Sequence, residues 1–154
     1  MSKHSLKSEQ KIIARNKRAY HDYTVSDKVE AGIVLFGSEV KSIREGKIQL
    51  TDAYAISQDG EIFLVHLKIQ EYAFSHQFGH LSQRSRKLLL HKKQIADLSQ
   101  AVQKQGYTLL PLEVYFKDGK VKILLGVCKG KRQYDKRTDE KEKDIKRQLA
   151  RIVK

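Results

Sequence analysis

Six histidines and eighteen acidic residues raise the first chemical question, whether this chain carries a metal site or an acid–base pair. His76 and His80 have an i, i+4 spacing, but the surrounding stretch is loop-like and lacks both an HExxH pattern and a third ligand close by. A nuclease would need paired carboxylates or a glycine-rich phosphate loop, and neither pattern occurs. We therefore expect no metal, no cofactor and no enzymatic activity. The candidates for acid–base chemistry are His21, Asp22, Glu39 and His66.

The second chemistry that the sequence favours is binding to a polyanion. The 31 Lys and Arg residues against 18 Asp and Glu residues give a formal net charge of +13, which makes nucleic acid the first candidate partner. Residues 1–18 contribute +5 and residues 129–154 contribute +6, whereas the 110 residues between them contribute only +2. The two ends of the chain are therefore strongly basic, and the body is nearly neutral.

A basic cluster interrupted by leucines lies at Arg84–Lys93. On a strand, Lys87 and Leu89 would share one face, opposite Leu88 and Leu90. Two interpretations stay open, a core strand flanked by solvated charge or a rim that contacts phosphates.

The C-terminal segment has a more specific nucleic-acid pattern. Between Gly126 and Arg137, five cations are interleaved with Tyr134, as expected for phosphate contacts and stacking on an unpaired base. Beyond this point, basic residues recur at helical spacing with apolar residues on another face. Such a helix is marginal in water on its own, so we predict that the tail is disordered when free and folds on RNA, with a solvated charge run as the alternative.

The elements that must position these residues are mostly short strands. Two Asp-Gly pairs, at Asp59 and Asp118, predict tight hairpin turns. Helices are predicted over 38–45, with Ser38 as N-cap and Gly46 at the end, and over 92–105, ending at Gly106. The segment up to Arg18 is predicted to be a flexible arm or a short helix. The predicted strands are Tyr20–Val25, Val29–Phe36, Ala53–Ser57, Glu61–Ile69, Leu112–Phe116 and Val121–Val127, with Phe63, Val65, Leu67 and Ile69 facing the core.

These patterns predict a mainly β fold with helices, a small antiparallel barrel of about six strands whose open ends are covered by two or three helices. The barrel domain spans 1–128, with 1–12 flexible, and the basic tail spans 129–154. Apolar runs are far shorter than the ~18 residues of a membrane helix, and the N-terminus has no secretory pattern. The single Cys128 fits a reducing compartment, so we expect a soluble, cytoplasmic monomer with no membrane partner.

Several motifs, in order along nearly the whole chain, resemble those of the small protein B (SmpB) family, the SsrA-binding proteins of bacterial trans-translation. The chain departs from the family where it has Gly-Val-Cys-Lys-Gly-Lys in place of Gly-Leu-Ala-Arg-Gly-Lys, and in loop 70–82, which lacks a proline after Ile69. The resemblance is carried by Ile13–Tyr23, Glu30–Ile33, Gly37–Ser42, Gly46–Lys47, Arg86–Leu90, Gly106–Leu109 and the tail from Gly126 to Arg137.

The resemblance implies an oligonucleotide-binding-type barrel that binds the tRNA-like domain of transfer-messenger RNA. In the family, this complex reaches stalled ribosomes together with GTP-bound elongation factor Tu. The basic tail enters the messenger channel and the decoding centre of the small subunit, where it forms a helix, and the nascent peptide then receives a degradation tag. The alternative from charge alone is a general ribosome- or RNA-associated basic protein without preference for transfer-messenger RNA.

The resemblance also implies site residues, carried over by matching motifs. Glu30, Leu89 and Lys122 occupy positions where the family binds its RNA. Their expected neighbours on the same surface are Asn16, Lys17, Arg18, Lys41, Arg86 and Lys87. The tail positions used on the ribosome are Lys129, Lys131, Arg132, Tyr134, Asp135, Lys136, Arg137 and Ile152.

Overall fold

The computed structural model describes residues 10–70 and 84–131. Within these ranges strands predominate, and three helices are inserted among them. In chain order the elements are β1 (Gln10–Arg15), α1 (Lys17–Asp22), β2 (Tyr23–Ile33), α2 (Gly37–Arg44), β3 (Ile48–Gln49), β4 (Tyr54–Gln58), β5 (Glu61–Val65), β6 (Lys68–Ile69), β7 (Arg86–Leu89), α3 (Lys92–Gln105), β8 (Thr108–Lys117) and β9 (Lys120–Gly130).

Six strands form a closed antiparallel ring in the order β8–β4–β5–β7–β2–β9, and the pairing of β9 with β8 closes it. Strand β1 pairs with β8 beside this ring, and β3 and β6 form a separate two-stranded sheet. The predicted mainly β fold and the barrel of about six strands are thereby confirmed.

The barrel interior is filled by alternate residues of the ring strands. Leu64, Leu88, Val114 and Ile123 come from four different strands and have no exposed surface. Helix α3 packs against β4 and β8 and adds Ile95 and Leu98 to the core, while α2 adds Ile43. In β9, Val121, Ile123, Leu125 and Val127 are all buried, so one face of the predicted strand Val121–Val127 packs into the core.

A second, smaller apolar cluster lies on the outer face of the barrel under α1. Ala19 of α1 packs there with Leu112 and Cys128, and burial raises the pKa of the Cys128 thiol to about 11. Gly126 is required for this contact, since an added Cβ would lie 2.7 Å from Cδ1 of Leu112. The helix therefore covers one part of the outer face and leaves the rest open.

Both predicted hairpin turns are confirmed. Asp59 and Gly60 have φ of 53° and 75°, and Asp118 and Gly119 have φ of 51° and 77°, the left-handed conformations that a two-residue turn with right-handed twist requires. Gly106 ends α3 in the same conformation, as predicted.

The predicted organisation of residues 10–25 is wrong, and the preceding part of the predicted arm lies outside the described residues. Residues 10–15 form β1 rather than a flexible arm or a helix, because β8 offers a backbone edge with which they pair. The segment Tyr20–Val25 is divided between α1 and β2, since the Oδ1 atom of Asn16 accepts a hydrogen bond from the Ala19 amide and starts a helix. Strand β2 then continues to Ile33, with a shift of its register against β9 between Val25 and Asp27.

The predicted core-facing side of β5 is wrong. In β5 the core-facing residues are Ile62 and Leu64, not Phe63 and Val65. His66 has a φ of 59°, which breaks the alternation, so that Leu67 and Ile69 are buried after it.

The first helical cap also differs from the prediction. Helix α2 is capped by Phe36 rather than Ser38. The Phe36 amide donates to Oε1 of Glu39 over 2.8 Å, and the Phe36 carbonyl accepts from the Glu39 amide over 3.0 Å. The side chain of Glu39 therefore closes the first turn from inside the protein.

Glu39 is also the centre of a buried ionic cluster that joins α2 to β7. Its carboxylate accepts from Nε of Arg86 over 2.6 Å and from Nη2 of Arg84, and neither Glu39 nor Arg86 has exposed side-chain surface. Burial alone would raise the pKa of Glu39, but hydrogen bonds from Arg84, the Phe36 amide and Arg86 outweigh it and lower the pKa below 4.5. Nη1 of Arg86 also donates to the carbonyls of Leu67 and Arg84, so the guanidinium links α2 to two further points of the backbone.

We expect Glu39→Gln to lower the free energy of unfolding by about 3–5 kcal/mol, because the isosteric amide leaves a buried guanidinium without its counter-charge. Urea unfolding at neutral pH measures this as a lower midpoint with an unchanged m value. Glu61→Gln is the control, since its 3.5 Å pair with Lys87 is partly exposed and contributes at most about 1 kcal/mol. Equal losses in the two variants would contradict the central role of Glu39.

The same cluster predicts a pH dependence. Because the folded pKa of Glu39 is lowered, its contribution is fully present above the ordinary glutamate value and is lost as the pH falls through the folded pKa. The wild-type chain should lose more stability than Glu39→Gln below about pH 4.5. Urea midpoints from pH 7 to pH 3 test this, and parallel curves for the two proteins would refute it.

Candidate nucleic-acid interface

The open part of the outer face carries one row of residues across four strands. Leu89 of β7 is in register with Gly32 of β2, Gly32 with Lys122 of β9, and Lys122 with Tyr115 of β8. Since Leu88, Ala31, Ile123 and Val114 face the core, the neighbouring residues of this row lie on the opposite, outer face. Tyr115 is covered by its surroundings there and is only 4% exposed. We call Leu89, Gly32, Lys122 and Tyr115 the outer row.

Gly32 gives the outer row its shape. A Cβ on Gly32 would lie 3.2 Å from the Cβ of Leu89, so the missing side chain allows Leu89 to lie close against β2. Leu89 nevertheless remains 53% exposed. Together with Lys122 and with Val40 of α2 it lines a groove of about 310 Å³. The row thus presents an apolar side chain and a cation at the edge of one groove.

Glu30 lies on β2 two residues before Gly32, on the same face. Its carboxylate accepts a hydrogen bond from the Tyr115 hydroxyl over 2.5 Å and lies 3.3 Å from Nζ of Lys117. The Tyr115 hydrogen bond is the largest cause of a lowered Glu30 pKa, with Lys117 and Lys122 adding to it against the effect of burial. Burial and Glu30 raise the pKa of Tyr115, so a protonated phenol holds an ionised carboxylate in one orientation.

The cations of this face are balanced by carboxylates. Lys87 pairs with Glu61 over 3.5 Å, and Arg15 pairs with Glu113 over 3.6 Å, in contacts that are partly exposed. Exposed pairs of this kind are weak and exchange readily with phosphate groups. The face can therefore bind phosphates through its cations and, through Glu30, accept a hydrogen bond from a donor on the ligand.

Two of the predicted site residues lie on α1. Lys17 and Arg18 are exposed there, and Nε of Arg18 lies 3.5 Å from the Asp22 carboxylate. Lys28 of β2 lies over the ring of Tyr20, 5.6 Å from its centroid, and so connects α1 with the strand that carries Glu30. The exposed residues of the predicted site are thus divided between α1, α2 and the face that carries the outer row and Glu30.

Two other predicted site residues are in the interior. Asn16 is 4% exposed; it donates to the Pro111 carbonyl over 3.1 Å and accepts from Ala19. Arg86 is fully buried in the Glu39 cluster. Their side chains are therefore occupied in holding α1 and β7 in place, whereas Lys41 is exposed on α2 and Lys87 lies on the outside of β7.

The start of the tail is attached to the barrel. Strand β9 continues to Gly130, two residues past the predicted boundary. Nζ of Lys129 lies 4.5 Å from the centroid of the Tyr107 ring, and the Lys131 amide donates to the Asp22 carbonyl over 2.9 Å. The other predicted tail residues lie outside the described residues: Arg132, Tyr134, Asp135, Lys136, Arg137 and Ile152.

The candidate acid–base residues are divided among three separate contacts within the chain. Glu39 is neutralised inside the protein by arginines, Nδ1 of His21 lies 2.9 Å from the Asp22 carboxylate, and the His66 ring stacks on Tyr54. Within residues 10–70 and 84–131 there is no group of three metal-ligating side chains. The helices of the same ranges are all too short or too polar to cross a membrane.

Sequence reasoning missed Tyr115 and Lys117, although a signal was present. A two-residue turn at Asp118-Gly119 pairs Lys117 with Lys120, and counting outward in steps of one places Tyr115 opposite Lys122. This register assigns Tyr115 to the face of the predicted Lys122. The contact of Tyr115 with Glu30 needs the β2–β9 pairing as well, which the local pattern does not contain.

Comparisons with known proteins agree on one family. The family model described as SmpB protein matches residues 13–154. An SsrA-binding protein of Treponema denticola is 52% identical over 148 residues, and one of Enterococcus faecalis is 51% identical over 148 residues, with 96% of each chain covered in both cases. A solved structure described as "tmRNA-SmpB: a journey to the center of the bacterial ribosome" contains a chain 42% identical, with a TM-score of 0.67 over 79% of this chain and 85% of that one.

We expect Tyr115→Phe to raise the pKa of Glu30 toward its ordinary value, because the hydroxyl that holds the carboxylate is lost. Stability should fall by about 1 kcal/mol, less than for a fully buried charged hydrogen bond, since Glu30 is partly solvated. Carboxyl chemical shifts of Glu30 during an NMR titration measure the change. Tyr107→Phe is the control and should leave the pKa of Glu30 unchanged. An unchanged pKa of Glu30 in Tyr115→Phe would contradict the hydrogen bond between Tyr115 and Glu30.

Proposed function

Because this chain belongs to the SmpB family, we propose that it binds the tRNA-like domain of transfer-messenger RNA and brings this RNA to stalled ribosomes for trans-translation, peptide tagging and ribosome rescue. The observation that carries the proposal is the grouping of Glu30, Leu89 and Lys122. These residues come from β2, β7 and β9, and the strand register brings them to one open face. The resemblance selects the same three residues independently of the fold.

The chemistry of this face suits a folded RNA better than a simple polyanion. Lys122 and Lys117 attract the phosphate backbone. Glu30 repels phosphate, and as an oriented acceptor it requires an amino group of a base or a 2′-hydroxyl. Leu89 offers apolar contact to a base or a ribose. An RNA that satisfies all three must present a particular surface, and not only negative charge.

The remaining residues of the barrel extend or support this site. Lys41 and Lys87 supply further phosphate contacts near the outer row, and Lys17 and Arg18 supply them on α1. Asn16 and Arg86 act as positioning residues, since both are buried and hydrogen-bonded within the chain.

The basic tail is assigned to the ribosome. We assign Lys129, Lys131 and the residues beyond, through Ile152, to the messenger channel and the decoding centre of the small subunit. We propose that the tail binds there in a helical form. The chain acts as a cytoplasmic, non-catalytic monomer, and elongation factor Tu joins it in the delivery complex.

A general RNA-binding protein of the ribosome is the second candidate function, favoured by the high charge of both chain ends. Competition binding separates the two candidates. Transfer-messenger RNA should displace a labelled tRNA-like domain at much lower concentration than ordinary tRNA of similar length does. Equal competition by the two RNAs would favour the general binder.

We expect Lys122→Ala to weaken binding of the tRNA-like domain at low salt and to reduce the slope of log affinity against log salt by about 0.7–0.9, the loss of one phosphate contact. Filter binding or anisotropy between low and physiological salt measures both quantities. Lys104→Ala, an exposed lysine of α3, is the control and should keep the wild-type slope. A wild-type slope for Lys122→Ala would remove this residue from the interface.

We expect truncation after Lys131 to leave affinity for the free RNA nearly unchanged and to abolish peptide tagging on stalled ribosomes. The truncated chain keeps the pairing of Gly130 with Tyr23 and the bond of Lys131 to Asp22, so the barrel remains closed. RNA anisotropy and a reconstituted tagging reaction measure the two activities. Loss of RNA binding on truncation would contradict this division of roles.

A further inference from the structure

An exposed apolar strip continues from the outer row toward α2. Leu89, Val34 and Phe36 are 53%, 45% and 56% exposed. Gly32 is in register with Leu89, and the Val34 amide donates to the Lys87 carbonyl over 3.0 Å. Val34 therefore continues the pairing with β7 one residue beyond the end of β2. Phe36 comes two residues later, at the start of α2.

Phe36 is held more firmly than its exposure suggests. Its amide and carbonyl are both bonded to Glu39, which fixes its backbone. The guanidinium carbon of Arg84 lies 4.3 Å from the centroid of the Phe36 ring. Arg84 is itself held by Glu39 and by the Val34 carbonyl. The ring is therefore backed by a fixed cation on one face, and more than half of the residue remains open to a ligand.

The charges around the strip favour RNA over an apolar protein segment as its occupant. Lys87 lies opposite Val34, and Lys122 lies across Gly32 from Leu89 in the strand register. Arg84 lies against Phe36. Glu39, the nearest carboxylate to Phe36, is buried and paired with two arginines. Exposed aromatic rings among cations are the usual platforms for unpaired bases, whose stacking does not depend on base identity.

We propose that Phe36 is a stacking platform for one unpaired base of the bound RNA, at the far end of a site that runs from Lys122 past Leu89 and Val34. The inference rests on the proposed function and extends its site to Phe36, four residues beyond Gly32 of the outer row, which is at most roughly 13 Å of extended chain. Arg84 acts as a positioning residue, since its charge is already paired with Glu39 and its plane supports the ring.

Phe36→Trp tests the contact directly, because the natural chain contains no tryptophan. Stacking of a base on the indole should quench its fluorescence when the tRNA-like domain is added, with the midpoint at the Kd found by anisotropy. Gln103→Trp, on the exposed side of α3, is the control and should show no quenching. An indole at position 36 that does not respond to saturating RNA would overturn the proposal.

Affinity separates stacking from simple apolar contact. Phe36→Ala should weaken RNA binding roughly 5- to 100-fold, Phe36→Leu should lose most of the same affinity, and Phe36→Tyr should keep it. All variants should keep the wild-type salt slope, because no charge is removed. Urea midpoints within the range of the wild type confirm that the fold is intact. Full affinity in Phe36→Leu would assign the strip to apolar contact and refute stacking.

Failure of this proposal differs from failure of the proposed function. Suppose that Lys122→Ala weakens RNA binding while Phe36→Ala keeps the wild-type affinity and the indole of Phe36→Trp is not quenched by RNA. In that case the RNA site ends at the outer row, and the stacking platform is refuted. If the wild-type chain itself shows no preference for transfer-messenger RNA, the proposed function fails. If Phe36→Ala binds RNA normally but loses peptide tagging, the strip contacts another component of the assembly, and the stacking proposal is again refuted.

Discussion

The register of β9 between β2 and β8 is the constraint on which the rest of the outer face depends. Strand side chains alternate, so a slip of one residue would turn Lys122 inward and Ile123 outward. The Asp118-Gly119 turn fixes one side of this register, and the long β2–β9 pairing fixes the other. Burial of Ile123 and Leu125 then makes the observed register far more stable than a register shifted by one residue. The outward direction of Lys122 is thus a consequence of core packing.

The position of strand β7 on this face depends on the buried ion pair between Arg86 and Glu39. Strand β7 is only four residues long and must carry Leu89 and Lys87 at defined positions. The Arg86 side chain fixes this strand from inside, through Glu39 of α2 and the carbonyl of Leu67. Burying such an ion pair costs desolvation free energy, and its benefit is that it holds the elements it joins in one relative position. Here it couples β7, α2 and, through Arg84, the exposed ring of Phe36.

Sequence patterns predict those elements whose turn residues, capping residues and apolar spacing all lie within one short segment. The hairpin across Asp118-Gly119 and helix 92–105 combine a turn or capping signal with regular apolar spacing, and both were predicted. Strand β5 was assigned the wrong face because His66 adopts a left-handed conformation that no neighbouring residue signals. Arg86 was placed on the surface because its partner Glu39 lies 47 residues away. The grouping of Glu30 with Lys122 was available only from the family resemblance, since it depends on strand pairings that no local window contains.

The small net charge of the body has a structural explanation, which is the mixing of cations and carboxylates on the outer face. The cations of the outer face lie among Glu30, Glu61 and Glu113, so the body attracts polyanions weakly in general. We infer that Glu30 makes the body selective, because it repels a phosphate brought against it, and a ligand without a donor would cover the lone pairs that the bonds from Tyr115 and Lys117 leave free. Discrimination therefore arises from the penalty on wrong ligands as much as from the attraction of the right one. The excess charge of the chain ends can then increase the rate of encounter without reducing the selectivity of the barrel.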